Sequence, residues 1–252
     1  MSSEWRTVEA PSALQLKELQ LWRIELTAVD SLIETCTSSL TADELARANR
    51  RRQAQAHRHF VVGRGCLRLL LGSFLGIEPR LVPISAGPHG KPEVSSLDSD
   101  ISFNVAHSAS TILIALCRQA CVGVDVEQVD PSLEFMTVAQ ASFTPTETMK
   151  LSAFSNPEQQ RLAFYRYWTQ KEAVAKADGR GLTLSMSSFE VPLSPLSAAP
   201  VSIAQSSGTR SKVYYVSDLP LGAGMAGAVA INDFDYSMKL LRFPPLDNSP
   251  TS

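Results

Sequence analysis

Between Arg58 and Phe74 the residues Phe60, Val61, Cys66, Leu67, Leu70 and Leu71 recur at helical spacing and line one broad apolar face. Gly76 follows as a stop. Upstream, Leu19 to Leu26 alternates in places as a strand does, and Thr41-Ala-Asp-Glu44 reads as a capped helix start. Downstream come four short β-rich runs: Leu81 to Ser85, Ile101 to Ala106, Ile112 to Cys117 and Val122 to Glu127. The first two flank the turn-rich Gly87-Pro-His-Gly-Lys91-Pro92 and a polar loop, Pro92 to Asp100. Pro131 to Lys150 predicts one or two short helices, punctuated at Thr144-Pro145. Glu158 to Lys176 predicts a second long helix, ended by Asp178-Gly179-Arg180-Gly181. Five more strands are expected: Ser188 to Val191, Val201 to Ala204, Lys212 to Ser217, Gly227 to Ile231 and Met238 to Arg242. The segment from Pro244 has the composition of a frayed terminus.

This order suggests a duplication, because a long helix, a glycine stop and several strands occur twice. Phe60, Arg64 and Arg68 can be laid over Trp168, Glu172 and Lys176 at an offset of 108, each triplet on one helical face. The fold expected is α+β: two similar halves with pseudo-twofold symmetry, each a long helix packed on a small, mainly antiparallel sheet. The halves are placed at 1–119 and 120–252, with a ligand held between them.

Composition narrows the partners. Hydrophobic residues make up 44% of the 252, enough for one sizeable core or two small ones. A formal net charge of −2 speaks against a dedicated nucleic-acid binder and against a disordered chain. No run reaches about 18 apolar residues, so no membrane span is expected. The start, MSSEWRTVEA, lacks the features of a signal peptide, and the four cysteines form no CxxC pair. These point to a cytoplasmic protein with buried thiols.

Charge is unevenly placed. From Leu45 to Ile77 there is no acidic residue, but there are seven arginines: Arg47, Arg50, Arg51, Arg52, Arg58, Arg64 and Arg68. Guanidinium groups suit phosphate. Arg50 to Arg52 read as a solvated face, whereas Arg58, Arg64 and Arg68 lie on the apolar helix and need partners. In Val122-Gly-Val-Asp125-Val-Glu127 the two carboxylates point to one face of a strand. The pair reads equally as a Mg²⁺ site or as a strand running out into a polar loop. Glu172 and Lys176 share a helix face with Trp168, and His107 ends a strand beside Ser108. There is no GxSxG or GxxxxGK[ST].

Taken in order, the motifs resemble the 4′-phosphopantetheinyl transferase superfamily, in its larger monomeric, two-halved, surfactin-synthetase-activating type. The carrying segments are Gly87-Pro-His-Gly-Lys91-Pro92, Phe103-Asn-Val-Ala-His107-Ser108, Gly123-Val-Asp125-Val-Glu127 and Phe143-Thr-Pro-Thr-Glu147. The last is Trp168-Thr-Gln-Lys171-Glu172-Ala-Val-Ala-Lys176-Ala-Asp-Gly179-Arg-Gly-Leu182, so the likeness spans roughly Thr41 to Val191. Ala106 departs from it, standing where many relatives carry a hydroxyl residue.

The resemblance implies transfer of the 4′-phosphopantetheine arm of coenzyme A to a serine of an apo acyl or peptidyl carrier protein, releasing adenosine 3′,5′-bisphosphate. It implies Mg²⁺ on Asp125, Glu127 and Glu172, with Glu172 also the base for the attacking serine. Lys176 is expected to neutralise the pyrophosphate, with Lys171 nearby. Arg47, Arg58, Lys91, Pro92, His107 and Ser108 are expected to grip the nucleotide end, His107 at the 3′-phosphate. The partners implied are coenzyme A and the carrier, with no nucleic acid or membrane and the protein a monomer. Carrier docking is expected on hydrophobic residues between Met136 and Phe154, Phe143 and Met149 among them. Two alternatives are a non-catalytic relative that binds coenzyme A or a carrier, and a phosphohydrolase using the same carboxylates.

Overall fold

The computed structural model describes residues 4–8, 10–28, 32–87, 89–95, 99–193, 198–204 and 211–243. The expected frayed tail from Pro244 lies outside them, as does Pro88 of the turn-rich loop.

Eleven strands and six α-helices alternate along the described chain. The first half contains β1 (Arg6–Thr7), β2 (Glu18–Glu25), α1 (Ile33–Ser38), α2 (Ala42–Asn49) and α3 (Ala54–Leu75). It continues through β3 (Ile84–Ala86), β4 (Pro92–Val94), β5 (Ile101–Ser108) and β6 (Thr111–Arg118). The second contains β7 (Val122–Gln128), α4 (Phe135–Ser142), α5 (Pro145–Ser152) and α6 (Pro157–Asp178). It ends with β8 (Ala199–Ala204), β9 (Ser211–Asp218), β10 (Met225–Ile231) and β11 (Ser237–Arg242).

Two sheets form, in the orders β1-β11-β2-β6-β5 and β7-β10-β9-β8, with β3 and β4 making a separate ribbon. All pairings are antiparallel except β2–β11 and β11–β1. The expected second half, 120–252, therefore sends its last strand into the sheet of the first. Two local expectations are corrected. Residues 188–191 form no strand and lie at the end of a 3-10 turn, Met186–Ser188. Pro92 to Asp100 is not wholly loop, since Pro92–Val94 pairs with Ile84–Ala86.

The layers run helix, sheet, sheet, helix. Trp22, Ile24, Val62 and Leu67 pack between α3 and the first sheet, while Tyr167, Val174, Val201 and Tyr214 pack between α6 and the second. Leu21, Leu113, Val122, Val124 and Val229 fill the space between the sheets. A central strand covered on both faces reads as a nearly continuous apolar run, which is why β6 and β10 show little alternation.

The repeat is real, but its offset is 103. Strand β2 matches β7, and α2 and α3 match α5 and α6 residue for residue at that spacing. Thr41 and Glu44 form a capping box, and so do Thr144 and Glu147. Both long helices end on left-handed glycines, Gly76 (φ 67°) and Gly179 (φ 82°). The 108 offset aligned similar helix faces without these termini and shifts the register by more than one turn. Among the described residues, no helix is long and apolar enough to cross a membrane.

Candidate active site

At the true offset, the positions of Trp22 and Ile24 in the first half are taken by Asp125 and Glu127 in the second. In the first half these positions face α3 and belong to the core. In the second they face α6, so two carboxylates enter where the fold itself asks for hydrocarbon. Strand β7 lies close against that helix because Gly123 has no side chain: a Cβ there would meet Ala173 O at 2.1 Å and Ala177 N at 2.4 Å.

Helix α6 answers with Trp168, Glu172 and Lys176, one turn apart on a single face. Lys176 Nζ donates to Asp125 Oδ1 at 2.6 Å. Asp125 Oδ2 is buried and accepts no hydrogen bond among the described residues. Burial raises the Asp125 carboxyl to about 7; Lys176 opposes this, and the Glu127 and Glu172 charges add to it. Glu127 is also raised, chiefly by burial, against hydrogen bonds from Ser108 and the Trp168 indole and the charge of Lys176. Ser108 Oγ donates to Glu127 Oε2 (3.1 Å) and accepts from Gln128 N–H (2.9 Å). It thus holds a carboxylate in place, whereas the sequence pointed to nucleotide contact.

Three cavities share the Pro92 edge, and one of them reaches Glu172 and Lys176. One, of about 390 Å³, is lined by Lys91, Pro92, Asn104, Glu172 and Lys176. A second, of about 380 Å³, lies between α3 and β5 and is lined by Arg51, His59, Phe60, Arg64, Asn104 and His107. The third, of about 560 Å³, is lined by Glu44, Arg47, Arg64, Arg68, Arg80 and Pro92. Pro92 lines all three.

Glu172 and Lys176 line the first cavity, His107 the second and Arg47 the third, with Pro92 at the edge of each. His107 stacks on His59, with ring centroids 4.7 Å apart and planes 10° from parallel. His59 Nε2 lies 2.6 Å from the Ala109 carbonyl and donates to it, which anchors the stack. Burial first, then His59, Lys176 and Arg51, hold His107 below the ordinary imidazole value.

Besides Ser108, three expected ligand residues are placed differently. Lys171 is fully buried, pairs with Glu147 at 2.8 Å, and donates to the carbonyls of Met186 and Phe189. Its ammonium is committed to the core, and burial lowers its pKa against the pull of Glu147. Arg58 donates to the Leu26 carbonyl at 2.6 Å and lines none of the three cavities. Lys91 lines the cleft, but its ammonium is bonded to the carbonyls of Val122 and Lys176, both at 2.8 Å, tying the first half to the second. Phe143, an expected docking residue, is buried against Phe164 and Tyr167; Met149 is 67% exposed.

The sequence pattern singles out neither His59 nor Arg64 for the cleft and puts Arg51 on a solvated face, yet all three line the second cavity. Arg68 saturates Glu44, with Nε–Oε2 at 2.6 Å and Nη2–Oε1 at 3.1 Å. Arg64 stands only 3.5 Å from the same carboxylate, and its buried Nη1 has no hydrogen-bond partner among the described residues. At the offset of 103 its counterpart is the neutral Tyr167, so the fold does not need a cation there. The acid-free stretch was the available signal; which arginine faces the cleft depends on tertiary packing.

Among the described residues, no three His, Cys, Asp or Glu side chains are grouped closely enough to hold a metal ion as they stand. The donor set nevertheless fits a hard divalent cation: it is all oxygen, two of its carboxyls are raised, and one buried carboxylate oxygen lacks a partner.

A family model described as the 4′-phosphopantetheinyl transferase superfamily matches residues 121–230. The 4′-phosphopantetheinyl transferase HetI of Nostoc sp. is 35% identical over 189 residues, covering 74% of this chain and 79% of that protein. The 4′-phosphopantetheinyl transferase Sfp of Bacillus subtilis is 30% identical over 193 residues, covering 76% of this chain and 82% of its own length.

Proposed function

The chain belongs to the 4′-phosphopantetheinyl transferase superfamily, and from that premise we propose that it moves the phosphopantetheine arm of coenzyme A to a serine of an apo acyl or peptidyl carrier protein, releasing adenosine 3′,5′-bisphosphate. The observation that carries this reading is the buried, unpartnered Asp125 oxygen beside Lys176, with Glu127 and Glu172 turned to the same place.

The chemistry follows from that grouping. Arg47, Arg64 and His107 bind the anionic nucleotide end, where Arg64 has N–H groups to offer. Asp125, Glu127 and Glu172 hold Mg²⁺. Bound there, the ion supplies charge neutralisation at the pyrophosphate. Glu172 accepts the proton of the carrier serine, directly or through a water. The serine oxygen forms its bond to the phosphorus that carries the pantetheine arm. The bond from that phosphorus to the bridging oxygen breaks, and its electron pair leaves on the bisphosphate. Lys176, freed in part from Asp125, neutralises the leaving oxygen. Ser108 and Trp168 keep the Glu127 carboxylate oriented.

The test follows adenosine 3′,5′-bisphosphate. Protein, coenzyme A and Mg²⁺ should release it in step with added apo carrier, and a chelator should stop the release. Release without carrier would replace this reading with hydrolysis. Tight binding of coenzyme A with no release would leave a binding protein.

A further inference from the structure

Strands β5 and β7 are the facing edges of the two sheets. Edge strands expose unpaired N–H groups, and here two side chains of β5 receive them. Asn104 Oδ1 accepts from Val124 N–H at 2.9 Å, and Ser108 Oγ accepts from Gln128 N–H at 2.9 Å. The two are four residues apart on each strand, so they act as rungs between the halves.

The rungs differ in what remains. Ser108 gives its single proton to Glu127. Asn104 has two amide protons, and neither is donated to another described residue. The Val124 N–H can be met only by the carboxamide oxygen, so the amide cannot turn over without losing that bond. Its NH₂ group is thereby fixed as the donor end. Asn104 is 8% exposed and lines two cavities, the one with His59 and His107 and the one with Glu172 and Lys176. A nearly buried amide donor at the passage between a basic cavity and a catalytic one faces whatever anion spans them.

We propose that the Asn104 carboxamide binds coenzyme A, donating to the phosphate linkage where it passes from the His107 cavity to the Glu172–Lys176 cavity. The proposal rests on the reading that coenzyme A occupies this cleft. It gives Asn104 two tasks at once. Its oxygen fixes the position of β7, and its NH₂ group aligns the linkage to be cleaved against the side chains of that strand.

Calorimetric titration of the full chain with coenzyme A and Mg²⁺ tests it, alongside the melting temperature without ligand. Asn104→Asp keeps the shape and the acceptor for Val124 but loses the donors; Asn104→Ala loses both. If Asn104→Ala does not fold, Asn104→Ser takes its place. The Asp variant should melt near the parent. Both variants should bind coenzyme A weaker by on the order of 10-fold or more, the scale of one hydrogen bond to a charged acceptor. Parent-like affinity in the Asp variant would overturn the proposal. So would weak binding in the Asp variant with parent-like affinity in Ala or Ser, because the effect would then be one of charge alone. A parent protein that does not bind coenzyme A would instead overturn the reading beneath it.

Discussion

Lys171 and Glu147 form an ion pair of 2.8 Å inside the second half, both side chains closed to solvent. It repeats the pair that Arg68 and Glu44 make 103 residues earlier. In each half, a glutamate that closes a capping box reaches a cation in the long helix. That cation also holds the chain beyond the helix, through the carbonyls of Pro79, Arg80 and Val82 in one half and of Met186 and Phe189 in the other. The pair therefore belongs to the architecture and not to the ligand.

Lys171→Met should destabilise the protein by roughly 3–5 kcal/mol, because Glu147 would be left buried without its cation. Urea denaturation reads the loss. The KM for coenzyme A of the folded variant should stay at the parent value. A raised KM with unchanged stability would return Lys171 to the binding site.

Much of this architecture was legible in the sequence, and the reasons separate cleanly. Long amphipathic helices with marked ends stand out, so α3 and α6 were readable to within a few residues. Asp125, Glu127, Glu172 and Lys176 were readable because strand and helix periodicity puts each pair on one face. The partners of Lys171 and Lys91 were not, since they lie on other elements and follow from how those elements pack. Strand β11 was recognised as a strand, but its parallel pairing with β2 spans nearly the whole chain. Arg58 and Arg64 look alike in sequence, and only the rotation of α3 decides which of them faces the cleft.

Gly123→Ala should remove activity by moving β7 away from α6. The added methyl group would fall on backbone atoms of Ala173 and Ala177, which cannot turn aside as a side chain can. Asp125 would then be drawn from Lys176. The expected result is a strong fall in kcat together with lower thermal stability. Parent-like stability and activity would contradict the close approach described for this strand.

His107 should make nucleotide binding depend on pH. Burial, followed by His59, Lys176 and Arg51, favours its neutral ring in the folded protein, below the ordinary value of 6.5. The unfolded chain holds the proton more readily. The stability tied to this group is therefore full above that value and is lost as pH falls through the lower folded one. A phosphate against the ring reverses the preference, so binding takes up a proton. Affinity for adenosine 3′,5′-bisphosphate, measured without divalent metal, should tighten as pH falls from about 8 to about 6. The slope should be smaller in His107→Ala; an unchanged slope would place the phosphate elsewhere.

The most direct measurement is the intact mass of an apo carrier protein after incubation with this protein, coenzyme A and Mg²⁺, using a panel of acyl and peptidyl carriers. The account predicts a gain of about 340 Da on the carrier serine, absent with Glu172→Gln. No gain on any carrier, with the protein folded and coenzyme A bound, would contradict it.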